Sequence, residues 1–356
     1  MRFLTSEAEQ SGLNDTRIEG SNLSTLYLTE QRSKVSVTGQ RLKVKNDTET
    51  LLDVPLHKLE RVYVFGNIGI TTPAMHSLMR EEIDLSFFTH RGQFVGSLGG
   101  KMSKNIPLRV IQYQSYFDET YRLQMAKVFI ESKLKNMIEM IRRYSYNHPE
   151  ADFKAEVELI AGGGKRLDKA IDNSEIMGIE GYCSRAYFKC FAQMCRTQLY
   201  FPGRQKRPSP DPINAMLSLG YTILGNETAV LLEASSLDPY LGFLHEVRYG
   251  RKSLSLDLLE EFRQAVIDPF TLRLINLRVF TEEDFEAAED MPVRFNKQAF
   301  KKYLTEYEKR MEQNVTDKDD QEPSWRFTIQ QQVEKLRKSI ESKTIYQPHN
   351  LAGRSE

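Results

Sequence analysis

Cysteine is scarce. Cys183, Cys190 and Cys195 are the only three, all inside one expected helix, and an odd, closely spaced set does not make a disulfide framework. Cys183 and Cys190 fall on one helical face, yet no CxxC and no nearby histidine accompanies them, so they read as small core residues rather than a metal pair. Net charge is missing too: Lys plus Arg and Asp plus Glu number 49 each. That balance removes the global signature of a nucleic-acid binder but not local patches, and basic residues do gather at Arg204, Lys206 and Arg207 and again at Arg248, Arg251 and Lys252. No apolar run approaches the roughly 20 residues of a membrane helix. The start, MRFLTSEAEQSGLND, lacks the charged and apolar blocks of a secretion signal. The expectation is a cytoplasmic protein without a membrane partner. GxSxG, HExxH and paired CxxC motifs are absent, which leaves serine hydrolases, zinc peptidases and zinc fingers unsupported. GGGK at Gly162 to Lys165 is no phosphate loop, because the GxxxxGK spacing is missing, Arg166 replaces the hydroxyl residue and no strand precedes it.

What is present divides the chain. With 356 residues and 40% hydrophobic content a sizeable core is available. Residues 1–24 form a polar extension, and over 25–104 apolar and polar positions alternate around turns such as Gly39, with β-rich runs at 61–65, 84–88 and 93–97 and one short helix begun by Pro73. Beyond about residue 107 the period becomes helical: helices are expected over 173–200, 212–234, 255–266, 297–313 and 325–342, with loops at 161–165, 201–211 and 316–323. The fold class is α+β, a small β-sandwich-like domain followed by a larger all-helical domain over 105–345 and a tail at 346–356.

One stretch concentrates the chemistry. LDPYLGFLHEVRYGRKSLSLDLLEEFR sets His245 ahead of a helix bearing Asp257, Glu260 and Glu261. An imidazole with carboxylates from separate elements is the donor set of a divalent-cation site, where nitrogen and oxygen ligands hold magnesium or manganese beside a phosphate. At about 100° per residue, Leu254, Leu258, Leu259 and Phe262 make an apolar stripe, and Glu260 and Glu261 each lie within about 60° of Asp257 on the other side. Such an acidic face is most often solvated, and geometry alone does not pick two ligands from three carboxylates. Glu180, in a helix capped by Asn173 or Ser174, is bracketed by Gly178 and Gly181; each glycine costs roughly 1 kcal/mol against alanine, so a backbone or a ligand is expected to come close to this turn. Arg248 and Arg251 beside a cation suit a phosphodiester substrate. They are the first candidates for DNA contact, followed by Lys206 and Arg207.

The blocks VPLHKLERVYVFGNIGITTPAMHSL, FFTHRGQFVGSL, GIEGYCSRAYF, DPINAMLSLGYTIL, the His245 stretch and QQVEKLRKSI with YQP stand in an order and spacing that resembles the CRISPR-associated integrase, the metal-dependent endonuclease of the spacer-acquisition module. The resemblance implicates Glu180, His245 and Glu260 as metal ligands and Asp257 as a catalytic support or a ligand to a second ion, and leaves Glu261 at the surface. It implies a β domain through which two copies pair, a helical domain that holds the metal, and an assembly with the small second adaptation protein on DNA. It implies insertion of a captured foreign fragment into the CRISPR repeat by 3′-hydroxyl attack on a boundary phosphodiester. Two other readings remain: a metal-dependent nuclease for branched DNA, and a non-catalytic DNA-binding scaffold. The longer polar start, Cys183 and Ser184 after GIEG, and the neutral overall charge depart from the family pattern.

Overall fold

A computed structural model describes residues 24–90, 92–98, 105–205, 209–287, 292–315 and 323–351. The polar extension, apart from Ser24, and the loop over 316–322 lie outside them. The chain divides after residue 102, with residues 300–308 assigned to the first of two compact units.

The first unit is built on strands β1 (Ser24–Leu28), β2 (Lys34–Thr38), β3 (Arg41–Lys45), β4 (Thr50–Pro55), β5 (Leu59–Phe65), β6 (Gly69–Ile70), β7 (Asp84–Phe88) and β8 (Phe94–Leu98), with one helix, α1 (Thr72–Arg80), between β6 and β7. They form two four-stranded sheets ordered β1-β5-β7-β8 and β4-β3-β2-β6. Gly39 and Gln40, both at positive φ (56° and 61°), turn β2 into β3 as a two-residue hairpin requires. Alternation then sends Leu26, Val62, Val64 and Leu85 of one sheet and Val35, Leu42, Val44 and Val54 of the other into one core. The same period turns Tyr27, Tyr63 and Phe65 to the opposite face of their sheet. That aromatic face is where residues 300–308 belong: Phe300 meets Phe65 edge-on at 5.2 Å and Tyr27 donates to Glu308 at 2.7 Å. The boundaries expected from the sequence place this segment in the helical domain.

The second unit holds α2 (Ile106–Phe117), α3 (Glu119–Asn147), α4 (Lys154–Lys169), α5 (Asn173–Met194), α6 (Pro212–Ala234), α7 (Ser253–Leu259), α8 (Asp268–Asn276), the ends of α9 (Lys297–Glu312) and α10 (Trp325–Ser342). A two-residue pair, β9 (Phe285–Glu286) with β10 (Arg294–Phe295), interrupts an otherwise helical region. Side-chain caps set several helix starts: Asp118 accepts from Tyr121, Asp172 from Glu175 and Asp211 from Asn214. The cap of α5 is thus Asp172, not Asn173 or Ser174, and α5 ends at Met194, short of residue 200. Helix α6 is long and apolar enough to cross a membrane by length and composition, contrary to the expectation that no such run exists, but most of it is buried within the protein as a core helix.

Three further expectations change. The segment 161–165 is not a loop but the interior of α4; glycine is required there because a Cβ at Gly163 would stand 2.3 Å from Cys183 Sγ of α5, so its absence lets the two helices close up. The helix expected over 255–266 stops at Leu259, and after a turn a five-residue π segment, Arg263–Ile267, leads into α8. Finally, 346–351 is no free tail. Tyr346, His349 and Leu351 are buried; Ser132 donates to the His349 carbonyl at 2.9 Å, and Asn136 accepts from the Leu351 N–H at 2.8 Å.

Glu261 ties that segment down and is fully buried, not at the surface. Its carboxyl accepts from the His349 N–H and pairs at 2.7 Å with the Tyr346 hydroxyl, which also reaches Gln332 Oε1 at 2.8 Å. One phenolic proton cannot serve both acceptors, and a protonated Glu261 supplies the second. Burial pushes this carboxyl up from 4.5 to about 8, against the hydrogen bonds from Tyr346 and His349. The folded protein therefore keeps a proton that the unfolded chain releases near 4.5, so this group makes stability fall as pH rises from about 4.5 to about 8. Urea denaturation of Glu261→Gln across that range should show a flatter pH profile than the parent, and an unchanged slope would refute the protonated carboxyl.

Candidate functional site

Four separate segments of the second unit contribute to one cluster of charged side chains. Lys133 comes from α3 and Glu180 from α5; His245 follows α6, and Glu260 stands where α7 ends. Lys133 Nζ lies against Glu180 Oε1 and 2.6 Å from Glu260 Oε2, so one ammonium joins the two carboxylates. Ser184, one turn on from Glu180, donates to Glu180 Oε1 at 2.6 Å. Arg263 Nε approaches Glu260 Oε2 at 3.3 Å, and His245 Nε2 stands 4.0 Å from Glu260 Oε1.

The charges shape one another. Burial pushes the Glu260 carboxyl up, but Arg263, Lys133 and His245 together hold it well below the usual carboxylate range. Glu180 is likewise lowered: Lys133 outweighs its burial and the repulsion of Glu260. Burial draws the Lys133 ammonium down, and the two carboxylates more than restore it. All three are charged at neutral pH.

His245 is held by a clamp. Asn173, the first residue of α5, donates to the carbonyls of Phe243 and Leu244 at 2.7 and 3.0 Å. Opposite, Asp257 of α7 accepts the N–H groups of Phe243 (2.6 Å), Leu244 (3.0 Å) and His245 (3.0 Å), and stands 2.7 Å from His245 Nδ1. Gly242 makes room for this: a Cβ there would sit 2.6 Å from Asp257 Oδ2 and 2.7 Å from the Ser253 backbone. With Nδ1 turned to Asp257, Nε2 is the ring nitrogen that faces Glu260. Asp257 is completely buried, with four donors on its two oxygens, and it supports the imidazole. That arrangement leaves it no lone pair for a second ion.

The donors fit a hard divalent cation. Glu260 Oε2 lies buried between Lys133 Nζ and Arg263 Nε, while Glu260 Oε1 faces His245 Nε2 at 4.0 Å. Glu180 Oε1 and His245 Nε2 complete an oxygen and nitrogen set of the kind magnesium or manganese accepts. Among the described residues no three such side chains stand at metal-bonding distance of a common point, because the ammonium of Lys133 holds the two carboxylates.

A cavity of about 640 Å³ opens beside the cluster, lined by Lys133, Glu180, Arg185, Arg204, Tyr221 and Arg263 among others. Gly181 lines it, and neither Gly178 nor Gly181 has any atom within 4 Å of a Cβ placed on it. The expected close approach of a neighbouring backbone is absent; the glycines border open space. Arg263 lies over the Tyr221 ring at 4.5 Å and Arg204 at 5.3 Å.

The acidic face of the 255–266 segment is not solvated: Asp257, Glu260 and Glu261 are all buried. Arg248 is exposed in the loop after His245 and pairs with Glu246 at 3.3 Å, and Arg251 is half-buried at the end of that loop. Lys206 and Arg207 lie outside the described residues. The cations that do touch the carboxylates, Lys133 and Arg263, went unnoticed. Lys133 had a signal, since it interrupts the buried stripe Ala126, Ile130, Met137 and Met140 of α3. Arg263, one turn beyond Glu260, had only that spacing.

A profile of the family described as CRISPR associated protein Cas1 matches residues 26–309. Among similar proteins, the CRISPR-associated endonuclease Cas1 3 of Thermus thermophilus is 35% identical over 298 residues, 83% of this chain and 87% of that protein. A casposase bound to integration product superposes with a TM-score of 0.80 at 25% identity, covering 91% of this chain and 93% of that one. A chain of a Cas6-RT-Cas1–Cas2 complex, 22% identical, shares the fold with a TM-score of 0.78 over 92% of this chain and 36% of its own length.

Asp257→Asn removes the acceptor charge from three N–H groups and the imidazole, and should destabilise the protein by about 2–4 kcal/mol. Gly242→Ala should fall in the same direction by crowding the same carboxylate. Denaturant unfolding of both variants tests the clamp, and parental stability in both would dismiss it.

Proposed function

The chain belongs to the family of CRISPR associated Cas1 proteins, and from that premise we propose that it is a metal-dependent DNA integrase and endonuclease that inserts captured foreign fragments into a CRISPR array. The observation that carries the reading is the meeting of Glu180 and Glu260 on one cation, with His245 Nε2 beside them, at the wall of a cavity bearing Arg185, Arg204 and Arg263. The likeness to a casposase bound to integration product supports DNA strand transfer as the reaction class.

Magnesium or manganese held by Glu180, His245 and Glu260 would stabilise developing oxyanion charge and make the attacking hydroxyl more acidic. The remaining work falls to the chain. Asp257 fixes the imidazole, Arg263 balances Glu260, and the arginines of the cavity wall attract the flanking phosphates. The 3′ hydroxyl of the fragment forms a new bond to phosphorus at the repeat boundary, the old phosphorus–oxygen bond breaks, and the departing 3′ oxygen takes a proton. One phosphodiester replaces another, so no external energy source is required. Hydrolysis at the same site uses water as the nucleophile. We further propose that the protein acts in the cytoplasm as a homodimer together with the small second adaptation protein, and that Arg248, Arg251, Lys206 and Arg207 contact DNA phosphates.

The test offers the protein and its small partner an array-bearing plasmid and short duplexes with free or blocked 3′ ends, in manganese or magnesium. Joined products should need the free end and vanish with a chelator. Glu180→Ala, His245→Ala and Glu260→Ala should each lower joining by roughly 10³-fold or more. Cleavage of branched DNA without any joining would move the reading to a repair nuclease, and undiminished joining by the alanine variants would reduce the cluster to a structural one. Neutralising Arg248 should flatten the slope of log DNA affinity against log salt by about one unit, and a parental slope would remove it from the interface.

A further inference from the structure

Lys133 has no part in the reaction as written, yet it is the group nearest both carboxylates. Its stem is packed on the buried face of α3, its side chain is 7% exposed, and its head ends at the wall of the cavity that Glu180 and Arg185 also line. The oxygens it touches, Glu180 Oε1 and Glu260 Oε2, belong to the carboxylates a divalent ion would need. An ammonium on one oxygen of each carboxylate opposes a divalent ion on the same pair, because like charges within about 4–6 Å repel.

We propose that Lys133 competes with the divalent ion for Glu180 and Glu260, and that a DNA phosphate in the cavity decides the contest by drawing the ammonium to itself. This rests on the metal centre proposed above and adds its control. The ammonium offers three N–H donors on a flexible stem, so a phosphate oxygen can replace a carboxylate oxygen as its partner. DNA then frees the carboxylates for the ion, and by linkage the ion tightens DNA by the same factor. The hydrolytic centre is thereby assembled where substrate is present. With no phosphate to hold it elsewhere, the lysine stays on the two carboxylates and keeps the ion weakly bound.

Manganese titrations of the full chain, read by the paramagnetic resonance of the free ion with and without a short duplex bearing 3′ overhangs, measure both halves. Wild type should bind manganese more tightly with DNA than without. Lys133→Met should bind it roughly tenfold or more tightly than wild type in the absence of DNA, and DNA should add little. Equal or weaker binding by Lys133→Met, or an undiminished effect of DNA, overturns the competition. Should Lys133→Met not fold, Lys133→Gln, which keeps a donor between the carboxylates without the charge, must show the same tightening. Loss of manganese binding in every protein, wild type included, overturns the metal centre itself and the inference with it; binding that persists unchanged in Lys133→Gln overturns the inference alone.

Discussion

A buried Glu260 and a half-buried Glu180 beside it must be matched by positive charge, and their matching ties together several elements of the second unit. The balancing groups come from different helices: Lys133 from α3, and Arg263 from the π segment after α7. Each pairing fixes one element against another, because breaking it would leave an uncompensated charge in low dielectric. The pattern extends outward. Arg263 covers the ring of Tyr221, whose hydroxyl donates to Asp268, and Tyr187 donates to the same carboxylate at 2.8 Å. Polar groups that would be liabilities singly become a framework that holds the donors still.

Three acids in five residues have three different occupations. Asp257 gathers backbone N–H groups and orients an imidazole, Glu260 faces the cation, and Glu261 turns the other way to hold 346–349. The break of α7 at Leu259 and the wider π turn that follows make this divergence possible, since a regular helix would have kept Glu260 and Glu261 about 100° apart on a continuous surface. The last described segment is therefore fastened one residue away from the site, and Asn136, one turn beyond Lys133, bonds to the Glu261 and His349 carbonyls at 2.9 and 3.3 Å.

Much of this was legible in the residues, and the rest fails for a definable reason. Strand alternation located β5, β7 and β8 to within two residues, and Pro73 marked α1. The order of motifs singled out Glu180, His245 and Glu260; in the structure Lys133 joins the two carboxylates and His245 Nε2 stands 4.0 Å from Glu260. Periodicity, however, distinguishes apolar from polar positions and says nothing about partners. The acids after Leu254 looked solvated because the groups that neutralise or bond them sit far off in the chain: Lys133 well over a hundred residues earlier, Leu244 13 residues earlier and His349 88 residues later. Glycines divide in the same way: Gly163 reads as a loop and is a packing notch, whereas Gly178 and Gly181, where a backbone or a ligand is expected to come close, meet no backbone and border open space.

The aromatic face of the β1-β5-β7-β8 sheet is covered by residues well over two hundred positions further along. During synthesis the amino-terminal strands emerge long before Phe300 and Glu308 exist, so Tyr27 and Phe65 must wait with one side of their sheet bare. Such long-range closure slows folding and favours holdase protection of the nascent chain. An excised fragment of the first hundred residues would carry that exposed aromatic surface permanently and would be prone to self-association.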